Sequence, residues 1–359
     1  MKKIKLMSLV LACSFLCSLC ACKEKEEEIN SYPVTVFDTD FEAAPASIVS
    51  LSPSVTQDMD RLGLLQTVVG QSSYCDTDYQ NPPDHDITVV GSPINPDMDA
   101  VLKLAPACVF TSTPMPDWME SQLASSDVTV VDVSTPQFFY EIFGRARDLC
   151  TALMGVDEGL SYADEQLLPA LDLTEAVAWK YMYAEKPSAA FLIDDTLSAF
   201  TGDTLIQDFM TVFGLRNAAS DGKEYAYGEE QLLAGDPEYL FLSDEMDIAV
   251  FSEKYPDLQA VKSGQVYAYD LTAFERANLS LIDAFEAIAR KITPDEMAAV
   301  DTSLQQLADE REAAAMEAAK PWYQKTWEKV QNFFGGLFGG NKEKSGSSEQ
   351  SGSSSEEAA

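Results

Sequence analysis

From Ala46 onward, apolar and polar positions fall into short blocks that recur in two halves of the chain. Ile48-Val49-Ser50-Leu51 has the pattern of a short buried strand. The turn-like Ser52-Pro53-Ser54 follows, and then an amphipathic stretch predicts a helix to Leu62 with Gly63 just past its end. The second half repeats the plan. Ala190 to Ile193 reads as a strand, Asp194 to Gly202 as a loop, and Leu205-Ile206 with Phe209-Met210-Val212-Phe213 as a helix that stops at Gly214-Leu215. A sharper repeat needs no gaps: Asp99, Val101-Leu102, Pro106 and Val109-Phe110 align on Glu230, Leu232-Leu233, Pro237 and Leu240-Phe241. Each copy reads as an acid in a helix's first turn, where the dipole favours it, then a proline that ends the helix, then a buried strand.

These blocks predict an α/β protein of two Rossmann-like lobes with central, partly parallel sheets. Between them, Leu160, Ala163, Leu167, Leu168, Leu171, Leu173, Ala176, Val177 and Met182 keep helical spacing, which predicts a connecting helix with a kink at Pro169. The expected organisation is a signal peptide (1–21), a flexible tether (22–44), an N-terminal α/β lobe (45–157), the connecting helix (158–186), a C-terminal α/β lobe (187–294), a helical extension (295–338) and a disordered tail (339–359). The extension carries an aromatic stripe of Trp322, Tyr323, Trp327, Val330, Phe333, Phe334, Leu337 and Phe338. With only Lys320, Lys325 and Lys329 on its polar side, this stripe leaves open packing on the body and contact with a membrane or partner.

At the N-terminus, Lys2, Lys3 and Lys5 precede an apolar run from Leu6 to Ala21, shorter than the roughly 20 residues of a comfortable span, so it reads as a secretory signal. Leu19-Cys20-Ala21-Cys22 resembles a bacterial lipoprotein cleavage box, which implies that Cys22 becomes the lipid-bearing first residue. The glutamate-rich stretch after it predicts a tether that holds an extracytoplasmic body to the cell membrane. Of seven cysteines, Cys75, Cys108 and Cys150 then remain in the mature body, too few for a disulfide framework. Cys108 and Cys150 sit in apolar surroundings and read as buried hydrophobes, whereas Cys75 has a polar, loop-like setting.

Composition narrows the function. Hydrophobic residues make up 46% of the 359-residue chain, enough for two cores. Lys and Arg number 24 against 59 Asp and Glu, a formal charge of −35 that repels phosphate backbones and argues against nucleic-acid binding. The single histidine, His85, cannot supply a multi-histidine metal site, and no HExxH, paired CxxC, GxSxG, GxxxxGK or GxGxxG pattern occurs. No enzymatic role, metal or cofactor is expected. Asp76 with Asp78, and Asp194 with Asp195, read as solvated loop acids.

The stretch from Ala46 to Thr293 resembles the substrate-binding proteins of cobalamin and iron-chelate ABC importers. The resemblance rests on Ile48 to Ser54, Val69-Gly70 followed by Ser72-Ser73-Tyr74-Cys75-Asp76, Val90-Gly91 with Asn95-Pro96, and Gly264 to Tyr267 followed by Phe274-Glu275-Arg276. It is similar above all to the cobalamin-binding branch, through Ser72-Ser73-Tyr74 and Phe274-Glu275-Arg276, although Ser92-Pro93, Ser112 and Glu224-Tyr225 stand near positions where that branch has tryptophans. The resemblance implies a class III periplasmic-binding-protein-like fold, with a ligand held between the lobes by Pro53, Tyr74, Ser112, Phe200, Tyr225, Phe274 and Arg276. Tyr74 and Phe200 would face each other across the cleft, and Arg276 would orient a polar group of the ligand. It also implies a monomer that delivers a corrinoid to an ABC permease and ATPase complex, with Asp99 and Glu230 as docking carboxylates on the two rims. Without a cluster of arginines, a corrinoid fits better than an acidic chelate; haem or a ferric siderophore is the alternative ligand, and a surface interaction lipoprotein without transport is the alternative class.

Overall fold

The computed structural model describes residues 31–319. The expected signal peptide, Cys22, the start of the tether, the aromatic stripe and the tail lie outside the described residues. Two compact units divide the chain, one ending at Val300 and the other beginning at Asp301. The second is described only to Ala319, as the continuation of a helix that begins at Pro294.

The first described residues correct the expected flexible tether. Val34–Val36 (β1) and Thr39–Phe41 (β2) pair as an antiparallel hairpin. Val34 and Phe41 are buried in the first core, and the Tyr32 hydroxyl donates to the Ala152 carbonyl at 3.0 Å. The period-two alternation here is only a few residues long and follows a charged run, so a reading by composition passes over it.

The first lobe follows as Ile48–Ser50 (β3), Pro53–Arg61 (α1), Val68–Gln71 (β4), Thr88–Val89 (β5), the hairpin Gly91–Ser92 (β6) with Asn95–Pro96 (β7), Met98–Leu104 (α2), Cys108–Thr111 (β8), Asp117–Ala124 (α3) and Thr129–Asp132 (β9). Its five-stranded sheet has the order β5-β4-β3-β8-β9 and is parallel throughout. Two helices connect the lobes, Phe139–Met154 (α4) and Val156–Tyr181 (α5). Helix α5 begins and ends earlier than the spacing predicts and contains Pro169. At the joint, a Cβ on Gly155 (φ +82°) would lie 2.2 Å from the Ser31 Cβ, so only glycine lets the N-terminal arm cross here.

The second lobe contains Ser188–Leu192 (β10), Leu205–Val212 (α6), Arg216–Asn217 (β11), Glu229–Gly235 (α7), Tyr239–Ser243 (β12), Ile248–Lys254 (α8), Gln259–Ser263 (α9) and Val266–Tyr269 (β13). Its sheet, β11-β10-β12-β13, reproduces the β4-β3-β8-β9 order of the first in the same parallel sense. Every residue of β10 is buried, as expected of a strand covered on both faces. The gapless sequence repeat becomes a structural one. Helices α2 and α7 are seven residues each, end on the left-handed Ala105 (φ 46°) and Asp236 (φ 34°), and lead through proline into the central strands β8 and β12.

After β13 the chain forms Leu271–Glu275 (α10), Ser280–Ile292 (α11) and Pro294–Ala319 (α12). The segment between α10 and α11 returns to the first lobe. Asp58 of α1 and Arg145 of α4 form an ion pair at 2.7 Å, with side chains 1% and 3% exposed. Arg145 also donates to the Ala277 carbonyl at 2.8 Å, while the Leu279 N–H donates to Asp58 at 3.0 Å. Burial pushes the Asp58 carboxyl up, and the Arg145 charge followed by the Leu279 N–H opposes that shift. Around this pin, Arg61 pairs with Asp283, and Asn278 donates to Gln57 at 2.5 Å.

The loop that leaves β10 is fixed with similar care. Asp194 accepts from the Thr196 and Ser198 N–H groups, and the Phe200 N–H donates to the Phe191 carbonyl at 3.1 Å. Thr201 donates to Asp203 at 2.6 Å and accepts from the Tyr225 N–H at 3.2 Å, while Asp203 accepts from the Glu224 N–H at 2.9 Å. These bonds hold Glu224 (φ 52°) and Tyr225 (φ 64°) in the left-handed region. A Cβ on Gly202 would sit 2.0 Å from the Ser220 carbonyl oxygen, so this close backbone approach requires glycine.

Two outcomes are expected. Asp58→Ala or Arg145→Ala leaves a buried charge unpaired and is expected to lower unfolding stability by about 3–5 kcal/mol in urea titration, whereas an apolar replacement of both residues together costs less. A single variant as stable as wild type would contradict the role assigned to the pin. At Asp203, hydrogen bonds from the Thr201 hydroxyl and then the Glu224 N–H hold the carboxyl below its ordinary value, so folding favours the ionised form. That contribution is complete above the unfolded-chain pKa of about 3.9 and is lost as pH falls through the lower folded value. Asp203→Ala is therefore expected to be less stable than wild type at about pH 6 and to differ less from it once the medium is well below about pH 3. Parallel urea titrations measure both gaps, and an equal gap at the two pH values would refute the linkage.

Candidate functional site

Between the lobes lies a cavity of about 550 Å³, and a second hollow of about 710 Å³ lies on the second lobe.

 The two hollows are separate. The interlobe one is lined by Thr135, Pro136 and Gln137 from the first lobe and by Phe200, Tyr225, Phe274 and the carboxylates of Asp203, Glu224 and Glu275 from the second. The 710 Å³ hollow lies at the outer edge of the second sheet, where Glu185, Lys186, Arg216 and Glu238 stand among its lining residues and no aromatic ring does. Of these two, the interlobe cavity offers the flat apolar faces that bury a large ring system.

Its aromatic wall is continuous with the core of the second lobe. Phe274 packs on Phe191 with ring centroids 5.2 Å apart, and Phe191 stacks on Phe241 at 4.4 Å. Phe200, 4% exposed, lies 6.1 Å from Phe274, and Tyr225 meets it edge-on at 5.9 Å. Tyr225 is 48% exposed, so it presents the accessible ring at the end of this chain of contacts. Burial, and then the neighbouring Glu245, push the Glu275 carboxyl up. Burial also pushes up the phenol of Tyr269, which packs on Phe274 at 4.7 Å and donates to the Leu192 carbonyl.

The residues expected to share one site fall into three groups. Phe200, Tyr225 and Phe274 line the cavity together. Pro53 opens α1, and Ser112 shares a 2.7 Å hydroxyl contact with Ser52, the residue that caps that helix. Tyr74 is 64% exposed and projects from the loop after β4, with no ring contact to Phe200 among the described residues. Arg276 donates to Asp76 at 2.5 Å and to the Tyr74 carbonyl at 3.3 Å. This corrects the reading of Asp76 as a loop acid facing only solvent: the fold brings it to an arginine 200 positions away, a pairing with no local sequence signal.

Cys75 is buried beside this ion pair, with its sulfur 3.2 Å from the Thr56 hydroxyl and 3.3 Å from that of Ser72. Cys108 and Cys150 are also free and buried, and burial pushes both thiols up to about 12. Asp99 and Glu230 are exposed in the first turns of the equivalent helices α2 and α7. Among the described residues, no group of three or more His, Cys, Asp or Glu side chains is arranged to hold a metal ion, and no helix is long and apolar enough to cross a membrane.

Comparison with known proteins agrees with this architecture. The chain is 24% identical over 287 residues to an uncharacterized ABC transporter substrate-binding lipoprotein, YvrC, of Bacillus subtilis (strain 168), a match spanning 75% of this chain and 88% of that protein. The periplasmic heme-binding protein HutB of Vibrio cholerae superposes with a TM-score of 0.60 at 18% identity, over 69% of this chain and 99% of its own. The periplasmic vitamin B12-binding protein BtuF of the same organism superposes with a TM-score of 0.55 at 19% identity, over 72% of this chain and 98% of its own. At these identities the two structures show the class III fold and nothing finer. The model of the periplasmic binding protein family matches residues 48–272, and the chain belongs to that family.

Proposed function

We propose that this protein is the substrate-binding lipoprotein of an ABC importer, which captures a corrinoid between its lobes and hands it to a permease without chemical change. The observation that carries this reading is the interlobe cavity, with Phe200, Tyr225 and Phe274 on one wall and only carboxylates as its charged lining groups. A large ring system is held by aromatic faces at little rotamer cost, and a site with acidic walls disfavours a ligand that bears carboxylates or catecholates of its own. A corrinoid, with neutral amide arms, meets both conditions; haem, which carries two propionates, meets only the first, and a ferric siderophore lacks the flat macrocycle that the first demands.

The exposed Asp99 and Glu230, placed alike on the two lobes, are the proposed contacts for basic residues of the permease. Exposed charges of this kind guide association rate and orientation more than affinity, and their effect weakens with salt. The lipid on Cys22 is proposed to keep the body beside the permease.

Titration calorimetry of the chain from Lys23 onward with cyanocobalamin tests the ligand. One-to-one binding is expected, weakened about tenfold or more by Tyr225→Ala, since truncating a buried aromatic contact costs on the order of 1–3 kcal/mol. No heat with cyanocobalamin but saturable binding of haem or a ferric chelate would overturn the corrinoid and keep the transport reading. Asp99→Lys with Glu230→Lys is expected to leave that calorimetric affinity intact while slowing delivery to the reconstituted cognate permease, most strongly at low salt. Unchanged delivery would remove these two residues from the docking role.

A further inference from the structure

The polar side chains that line the interlobe cavity are mostly hydrogen-bond acceptors. Its lining residues contribute the carboxylates of Asp203, Glu224 and Glu275, the amide of Gln137 and the hydroxyls of Thr135, Thr204 and Tyr225, with no lysine, arginine or histidine among them. Gln137 donates its side-chain nitrogen to the Thr135 carbonyl at 3.1 Å, and its backbone N–H donates to Glu141 at 2.7 Å, so its Oε1 is the group left for a ligand. The Thr204 hydroxyl donates its hydrogen to the Thr201 carbonyl at 2.8 Å. Asp203 already accepts from the Thr201 hydroxyl and the Glu224 N–H. The carboxylates of Glu224 and Glu275 differ from it: among the described residues, neither is bonded to a donor or paired with a cation.

Such groups are satisfied only by a ligand that brings hydrogens, because a carboxylate accepts an N–H or O–H and repels another bare oxygen. We propose that Gln137, Glu224 and Glu275 are specificity-determining residues, which accept hydrogen bonds from N–H groups on the rim of a flat ligand whose face lies against Phe200, Tyr225 and Phe274. The ligand class is a large ring bearing primary amides or other neutral N–H donors. This deepens the reading of the cavity as the ligand site and rests on it. Leu205 and Ile206, the first residues of α6, line the same cavity, and no side chain caps that helix. The N–H groups of a first turn lack partners within their helix, so the carbonyl of the same amide finds a donor there. A ring of the same size with ester arms satisfies this second contact and not the first.

The test uses the full chain and the neutral dicyano forms of cobyrinamide and cobyrinic acid heptamethyl ester. These probes share metal, ring and side-chain carbonyls, and only the first carries N–H groups. Calorimetry is expected to show the amide bound about tenfold more tightly by wild type, the size of a single hydrogen bond to a charged group. Glu224→Met with Glu275→Met keeps side-chain length and removes both acceptors; it is expected to bring the ratio within about twofold, with the ester bound at least as well as by wild type. Glu224→Gln with Glu275→Gln keeps an acceptor oxygen at each position and is expected to retain most of the ratio. Equal affinities in wild type, or an unchanged ratio in the Met variant, overturns the proposal. So does a loss in the Gln variant as complete as in the Met variant, which would assign the effect to charge.

If wild type binds neither corrinoid, the corrinoid reading fails by itself and the acceptor wall is read with planar dyes. Proflavine carries primary amino groups, whereas acridine orange has the same ring and charge with every amino hydrogen replaced by methyl. Fluorescence titration is expected to show proflavine bound about tenfold more tightly by wild type, and that gap to close in the Met variant. Equal binding of the two dyes, binding of neither, or the same gap in the Met variant overturns the acceptor wall.

Discussion

The buried pair of Asp58 and Arg145 fixes how the two lobes meet. Each lobe has its own parallel sheet and its own core, and after Phe274, which packs on Phe191 of the second sheet, the segment that follows α10 turns to the first lobe. That segment is held because Arg145 bonds the Ala277 carbonyl and Asp58 receives the Leu279 N–H. Desolvating two charges offsets much of their attraction, and the Arg145 Nη1 atom is buried without a hydrogen-bond partner among the described residues. The pair therefore contributes position more than net stability. Its consequence is local: residues 276–283 behave as part of the first lobe's scaffold although they follow the last strand of the second.

The site is built on that framework from two kinds of support. On one side, aromatic contacts run from Phe241 through Phe191 and Phe274 to Phe200 and Tyr225, so the exposed ring at the cleft is braced by buried ones. On the other, the left-handed Glu224 and Tyr225 cost on the order of 1 kcal/mol each, and hydrogen bonds to Asp203 and Thr201 offset that strain. A ring held this way is presented to a ligand already ordered, which lowers the entropy lost on binding.

Much of this architecture is legible in the chain itself. Strands β3 and β10, the helices ending near Gly63 and Gly214, and the equivalence of α2 with α7 follow from short-range periodicity and helix-stop residues. Long-range pairing is different. Asp58 and Arg145 lie 87 positions apart, and each looks like an ordinary helix-surface charge until its neighbours are counted: Asp58 stands between Val55 and Met59, and Arg145 between Ile142 and Ala146, on faces that are otherwise buried. A charge placed inside an apolar stripe was the available signal. No comparable signal marks Asp76, because exposed loop acids are common and its partner is 200 positions away.

The formal charge of −35 says little by itself about the ligand. Exposed charges farther apart than about 8 Å are largely screened at physiological ionic strength, so overall acidity is a weak filter at the mouth of a cleft. Asp203, Glu224 and Glu275, which line the interlobe cavity, act at shorter range, where screening is poorer. On the proposed reading, selection against anionic ligands rests with the three cavity-wall carboxylates and not with the net charge of the chain.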